Sequence, residues 1–239
     1  MTDKAPKKVD PAYPSGGGAL GVGHDAAIGT LGAAASFVMP LTGPVVQALL
    51  KKCVQAPLEV RRAAWFNMVG EGLRELQDRF EGFDPDRLAE NEEFVSVVAA
   101  MTRIAMATHR AEKLEALRNI VLNAAIGLTV DDVSQGTFIA LVDRFSVLHL
   151  RVMQVLDDPS AAPEFKAIGG ATMPVVEALV RSFEDKADRG VIGTVMNDLN
   201  AALLLQNIES SALSPDPMTA RCLTPLGNRF VRFISSPIQ

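Results

Sequence analysis

Aromatic residues are scarce in this chain, at 5% of 239 positions with a single Trp. Strands are enriched in aromatic and β-branched residues, so the shortage favours helices, as does the abundance of Ala and Leu. Cysteine is nearly absent: Cys53 and Cys222 stand far apart. That excludes a disulfide framework and any C-x-x-C zinc spacing, and it suits a reducing cytosol with both thiols packed as small apolar groups. A basic excess is missing too, since the formal net charge is −5. Proteins that neutralise phosphates are basic on at least one face. There are three histidines, His24, His109 and His149. His109 and Glu112 share a helix face, but a metal site of that type needs a second such pair, and none follows. No cofactor and no metal is therefore expected. "GVGHDA" (Gly21 to Ala26) lacks the preceding strand of a dinucleotide fingerprint, and "GGG" lacks the G-K-[ST] of a phosphate loop. Ser210 and Ser211 sit in no nucleophile elbow. No nucleophile, base and orienter assemble from the sequence, so catalytic residues are expected to be none.

What is present is an all-α pattern. Residues 1–23 read as a flexible tail, because Pro6, Pro11, Pro14 and five glycines oppose regular structure. The lysines at 4, 7 and 8 precede prolines and glycines rather than an apolar run, so no secretory signal is expected. Residues 24–56 form an apolar, Gly- and Pro-broken helical segment. Within it, residues 26–50 carry no charge and suggest two short helices joined at Pro40–Pro44.

Residues 57–136 read as a helical bundle. A helix from Pro57 to about Phe80 places Val60, Ala64, Met68, Leu73, Leu76 and Phe80 on its inner stripe, with Trp65 at the stripe's edge. Asp84 and Pro85 restart the chain as N-cap and N1. "ENEE" (Glu90 to Glu93) supplies negative charge to a helix start. A helix over about 93–108 buries Phe94, Val97, Val98, Met101, Ile104 and Ala105. "EKLEALRNIVLNAA" turns Leu114, Leu117, Val121 and Ala124 to one face and stops at Gly127. Asp131–Asp132 opens a further helix to about Leu156, with Phe138, Leu141, Val142, Phe145, Leu148, Val152 and Val155 inward.

Residues 137–239 change character. "FSVLHLRVMQVLDDP", "MPVVEALVRSF" and "DRGVIGTVMNDLNAALLLQ" are three helices, and "NIESSALSPDPMTARCLTPLGNRFVRFI" reads as strand, turn, strand and a closing helix capped by Thr224. Over about residues 140–236 this order resembles a winged helix-turn-helix domain with a small two-stranded wing. The likeness is strongest at "CLTPLGNRFVRFI". The apolar N-terminus, the "EALRN" helix and the "LTPLG" ending also resemble bacterial proteins associated with abortive infection and phage defence.

In DNA-binding members of the winged-helix class the third helix enters the major groove, and this resemblance would put Arg189, Asn197, Asn200 and Arg221 toward nucleic acid. Phosphate anchors are too few for useful affinity, so DNA is disfavoured as a partner. The leading expectation is a non-enzymatic interaction or regulatory protein that contacts another protein through its bundle and winged-helix module. A homo-oligomer is compatible with it. The competing expectation is a cytoplasmic, conditionally membrane-associated effector that inserts residues 26–50, where Gly29, Gly32, Ala35, Phe37 and Val38 would meet lipid. Against insertion, the unbroken part from Ala26 to Met39 spans about 21 Å, short of a hydrocarbon core of about 30 Å.

Overall fold

The structure is a computed structural model that describes residues 56–128, 130–159, 175–183, 186–206 and 222–238. It is helical. The order is α1 (Ala56–Arg79), a 3₁₀ helix (Pro85–Glu90), α2 (Glu92–Ala107), α3 (Ala111–Ala125), α4 (Asp132–Arg144), α5 (Val147–Asp157), α6 (Val175–Ser182), α7 (Arg189–Ala201) and α8 (Pro225–Ile234). A single buried cluster runs through all of it, from Trp65 to Ile234.

Local capping sets several of these starts. Asp84 accepts from Asp86 N at 3.1 Å, and Pro85 follows, but the segment closes as a 3₁₀ turn rather than a full helix. Asn91 then accepts from Phe94 N at 3.1 Å and opens α2. Asp131 accepts from Ser134 N at 3.0 Å and from Ser134 Oγ at 2.6 Å, which opens α4. These bonds, side chain first, hold the Asp131 carboxyl below its ordinary range, with Arg229 adding to the effect.

The inner face of α1 differs from the sequence expectation. Trp65 lies at the centre, 2% exposed, beside Val69 and Leu76, while Val60 and Phe80 are exposed and Ala64 faces out. Trp65 Nε1 donates to Thr102 Oγ1 at 3.0 Å, so the indole satisfies its polar atom while burying its ring. Gly72 lets α3 approach closely. A Cβ there would lie 2.8 Å from Arg118 Nε, and Arg118 crosses that spot to donate to Met68 O at 3.1 Å and Glu75 at 2.8 Å.

The helix expected from Asp131 to Leu156 is two helices. Phe145 is extended, and Ser146 becomes the N-cap of α5. Lys113 Nζ donates at 2.9 Å to the carbonyls of both Asp143 and Phe145, groups at the break. A cation at the C-terminal end of α4 is also favoured by the helix dipole. Burial pushes the Lys113 ammonium down, and Asp143 opposes that.

The last helix packs against α3, α4 and α5. Phe230 meets Phe138 edge-on at 5.3 Å and Phe145 at 6.0 Å, and Phe233 meets Phe138 at 5.4 Å. Thr224 caps α8 by accepting from Gly227 N at 3.0 Å. Gly227 has no substitute there, since a Cβ would fall 2.2 Å from Leu204 O. At the other end, α8 presents the orphan carbonyls every helix leaves. Asn123 Nδ2 sits 3.1 Å from Arg232 O and 3.0 Å from Phe233 O and Ser235 O. Asn119 Nδ2 takes Ile234 O at 3.1 Å. Asn119, the last residue of "EALRN", thus holds the far end of the helix that "LTPLG" opens.

Before α8, Leu205 and Leu223 form one antiparallel bridge, with Gln206 N donating to Cys222 O and Thr224 N to Leu204 O, both at 3.0 Å. Of the expected wing, residues 207–221 lie outside the described residues, and the expected second strand at Cys222–Thr224 makes this single bridge, with Leu205. Cys222 is buried, which pushes its thiol up. Cys53 lies outside the described residues.

Candidate functional site

Of the third-helix residues singled out in the sequence, Arg189, Asn197 and Asn200 lie on α7, and Arg221 lies outside the described residues. Asp188 opens α7 by accepting from Val191 N at 2.9 Å. Ile192, Val195, Met196 and Leu199 form the buried face, at the spacings a helix requires. The outer face carries Val191, Thr194, Asn197, Asp198, Asn200 and Ala201, all exposed.

Arg189 is the one basic residue of α7, and Glu177 of α6 holds its guanidinium at 2.7 Å. Asp198 is turned the other way, toward α5, with Oδ2 3.2 Å from His149 Nε2. The outer face of α7 therefore has no basic group that is not already ion-paired. An exposed pair contributes little free energy, but it does neutralise the potential a phosphate would meet.

His149 is the side chain that the sequence did not point to. It lies flat against Phe145, 4.8 Å between ring centres with a 5° interplanar angle. The Ser146 backbone N–H points at Nδ1 from 3.3 Å, and Ser146 Oγ lies 2.8 Å from the same nitrogen. A backbone N–H only donates, so Nδ1 accepts and the ring proton sits on Nε2, facing Asp198. Burial pushes the imidazole pKa down, Asp198 opposes this, and Arg144 and Lys113 add repulsion. Ser146, His149 and Asp198 thus fall at the separations of a nucleophile, base and orienter. The serine–imidazole contact is, however, the reciprocal cap of one helix's first turn. What the trio does physically is tie α5 to α7. Its sequence signal was a Ser followed by a polar N3 residue, a capping pattern hidden by the reading of one unbroken helix.

Past α7 the chain makes a Schellman turn. Leu204 N donates to Leu199 O at 3.1 Å and Leu203 N to Asn200 O at 2.9 Å. Leu203 occupies the left-handed position, at φ 59°, and its side chain is 70% exposed. The same turn closes α3, where Leu128 N donates to Asn123 O and Gly127 N to Ala124 O, and there glycine holds φ 74°. In one molecule, the same motif carries glycine once and an exposed leucine once.

The other candidates fall elsewhere. His109 is exposed, and Glu112 pairs with Arg151. Among the described residues, no group of three or more His, Cys, Asp and Glu side chains could hold a metal ion. No helix among them is long and apolar enough to cross a membrane. Gly29, Gly32, Ala35, Phe37 and Val38 lie outside the described residues. No family model, curated protein or solved structure matches this chain.

Proposed function

We propose that the chain is a non-enzymatic interaction protein and that the outer face of α7, continued by Leu203, is the surface that meets another protein. The observation that carries this is Leu203. A leucine in the left-handed region costs about 1–2 kcal/mol relative to ordinary backbone, and glycine would relieve it. Its side chain buries little within the chain to offset that. Strain kept at an exposed apolar side chain is a mark of a contact made with something else. Neutralisation of Arg189 by Glu177 supports a protein partner over nucleic acid. The winged-helix order of the C-terminal part, and a role in defence against phage, belong to the same proposal through the resemblance alone.

The test is affinity capture from the source cells with the wild-type chain beside a Val191→Asp, Leu203→Asp double variant. A partner retained by the wild type and lost by a folded double variant is the expected result. Identical captured sets, or duplex DNA retained in a salt-sensitive and Arg189-dependent way, would overturn the reading.

A further inference from the structure

His149 answers to two helices at once. Its Nδ1 faces the first turn of α5, where the Ser146 backbone N–H lies 3.3 Å away and Ser146 Oγ 2.8 Å away. Its Nε2 faces α7, 3.2 Å from Asp198 Oδ2. The residue is buried and its ring lies parallel to Phe145. A stacked, buried ring has little room to turn, so a change of protonation falls on the bonds at its two nitrogens.

In the neutral ring Nε2 carries the proton, and Nδ1 holds the open lone pair. A second proton enters at Nδ1. There it faces the Ser146 backbone N–H, donor against donor. The Ser146 hydroxyl can rotate and accept from the new N–H, but the backbone N–H loses its acceptor. Half of the reciprocal cap is lost. At the other nitrogen the contact strengthens, because Nε2–H to carboxylate becomes a charge-assisted bond.

Three charged groups face the ring: Asp198 from α7, Arg144 from the end of α4 and Lys113 from α3. From α8 the Phe230 ring comes up to Phe145, while Arg232 lies at the far end of α5, near Asp157. On α5 itself, Arg151 is paired with Glu112. Burial opposes the charged ring most, and Asp198 favours it against Arg144 and Lys113.

We propose that His149 is an acid-operated latch at the α4–α5 break: protonation at Nδ1 releases the Ser146 backbone N–H and shifts the imidazole's bonding onto Asp198. The first turn of α5 then opens while α5 stays tied to α7. Lys113 bonds to carbonyls that this proton does not touch, so the break loosens from the α5 side alone. None of this rests on what the outer face of α7 contacts.

The experiment is NMR of the full, 15N-labelled chain between pH 7.5 and 5.5, beside His149→Gln and Asp198→Asn. The expected result is a neutral ring protonated on Nε2 and a Ser146 amide whose shift follows the imidazole titration. Its exchange protection, corrected for the intrinsic rate, should fall about tenfold, the loss expected of one hydrogen bond. Amides of the buried α7 face, at Val195 and Leu199, should keep their protection. Asp198→Asn should lower the titration midpoint, and His149→Gln should leave Ser146 equally protected at both ends of the range. A neutral ring protonated on Nδ1, a Ser146 amide indifferent to the titration, an unchanged midpoint in Asp198→Asn, or an equal loss in His149→Gln would overturn the proposal. So would a joint loss at Val195 and Leu199, which would mean that the whole fold opens.

Discussion

Asn123 holds its amide nitrogen 3.0 Å from the Phe233 carbonyl, across 110 residues of sequence. The same nitrogen reaches Arg232 O and Ser235 O, and Asn119 takes Ile234 O. The C-terminal carbonyls of α8 are thus satisfied by two side chains of α3. Removing that donor leaves buried acceptors without partners, at about 1–3 kcal/mol. Asn123→Ala is expected to lower stability by about 2 kcal/mol. Urea unfolding reads this as a lower midpoint at unchanged slope, with α8 amides exchanging first. A loss within experimental error would show that α8 is held by its phenylalanines alone.

Leu203 and Gly127 occupy the same position of the same turn, so opposite substitutions should have opposite signs. Leu203→Gly is expected to raise stability by up to about 1 kcal/mol, and Gly127→Ala to lower it by about 1 kcal/mol. Thermal unfolding of the pair decides this. If Leu203→Gly destabilises, the leucine side chain works inside the fold, and the argument for it as a contact residue fails.

Gly227→Ala puts a methyl group 2.2 Å from Leu204 O, a backbone atom that cannot swing aside. Overpacking of this kind costs about 1–3 kcal/mol, and the upper end is expected here. The loss should be visible as a lower unfolding midpoint together with faster proteolysis near residue 205. Gly136→Ala, whose Cβ would meet nothing within 4 Å, is the comparison without overpacking, and inside α4 it is expected to raise stability by about 0.5–1 kcal/mol.

His149 predicts a pH dependence of definite sign. Its folded pKa lies below the ordinary histidine value near 6.5, chiefly through burial. The unfolded chain then binds the proton first. The contribution of the neutral imidazole to stability is full above about pH 6.5 and is lost as pH falls from there through the lowered folded value. His149→Gln keeps an acceptor at the N3 position of the cap but does not titrate. Between pH 7.5 and 5.5 the wild type should lose more stability than this variant. Equal losses would mean that the imidazole does not carry the effect.

The helices were legible in the sequence because their signals are local. Caps at Asp131 and Thr224, Pro85 and Pro225 at N1, and the three-and-four spacing of Phe94, Val97, Met101 and Ile104 each depend on a few neighbours. The inner stripe of α1 was misread because the helix has two apolar sides. Val60 and Ala64 belong to the outer one, and Trp65 to the core. The break at Phe145 had one local signal, the Ser146–His149 capping pattern, but the bonds that satisfy the carbonyls of Asp143 and Phe145 come from Lys113, about thirty residues away. The candidate surface was half legible. Arg189 was visible, but its pairing with Glu177 is a tertiary fact. Leu203 carries no signal at all, since "NAALLLQ" reads as a continuation of the helix, whereas α7 ends at Ala201.

The central claim is that the outer face of α7 meets protein. The most direct measurement is photo-crosslinking in living cells with p-benzoylphenylalanine at Thr194, which lies exposed between Val191 and Asn197. The account predicts a discrete adduct that protease removes, that nuclease leaves intact, and that Leu203→Asp abolishes. A nuclease-sensitive adduct, or none beyond the monomer, would contradict it.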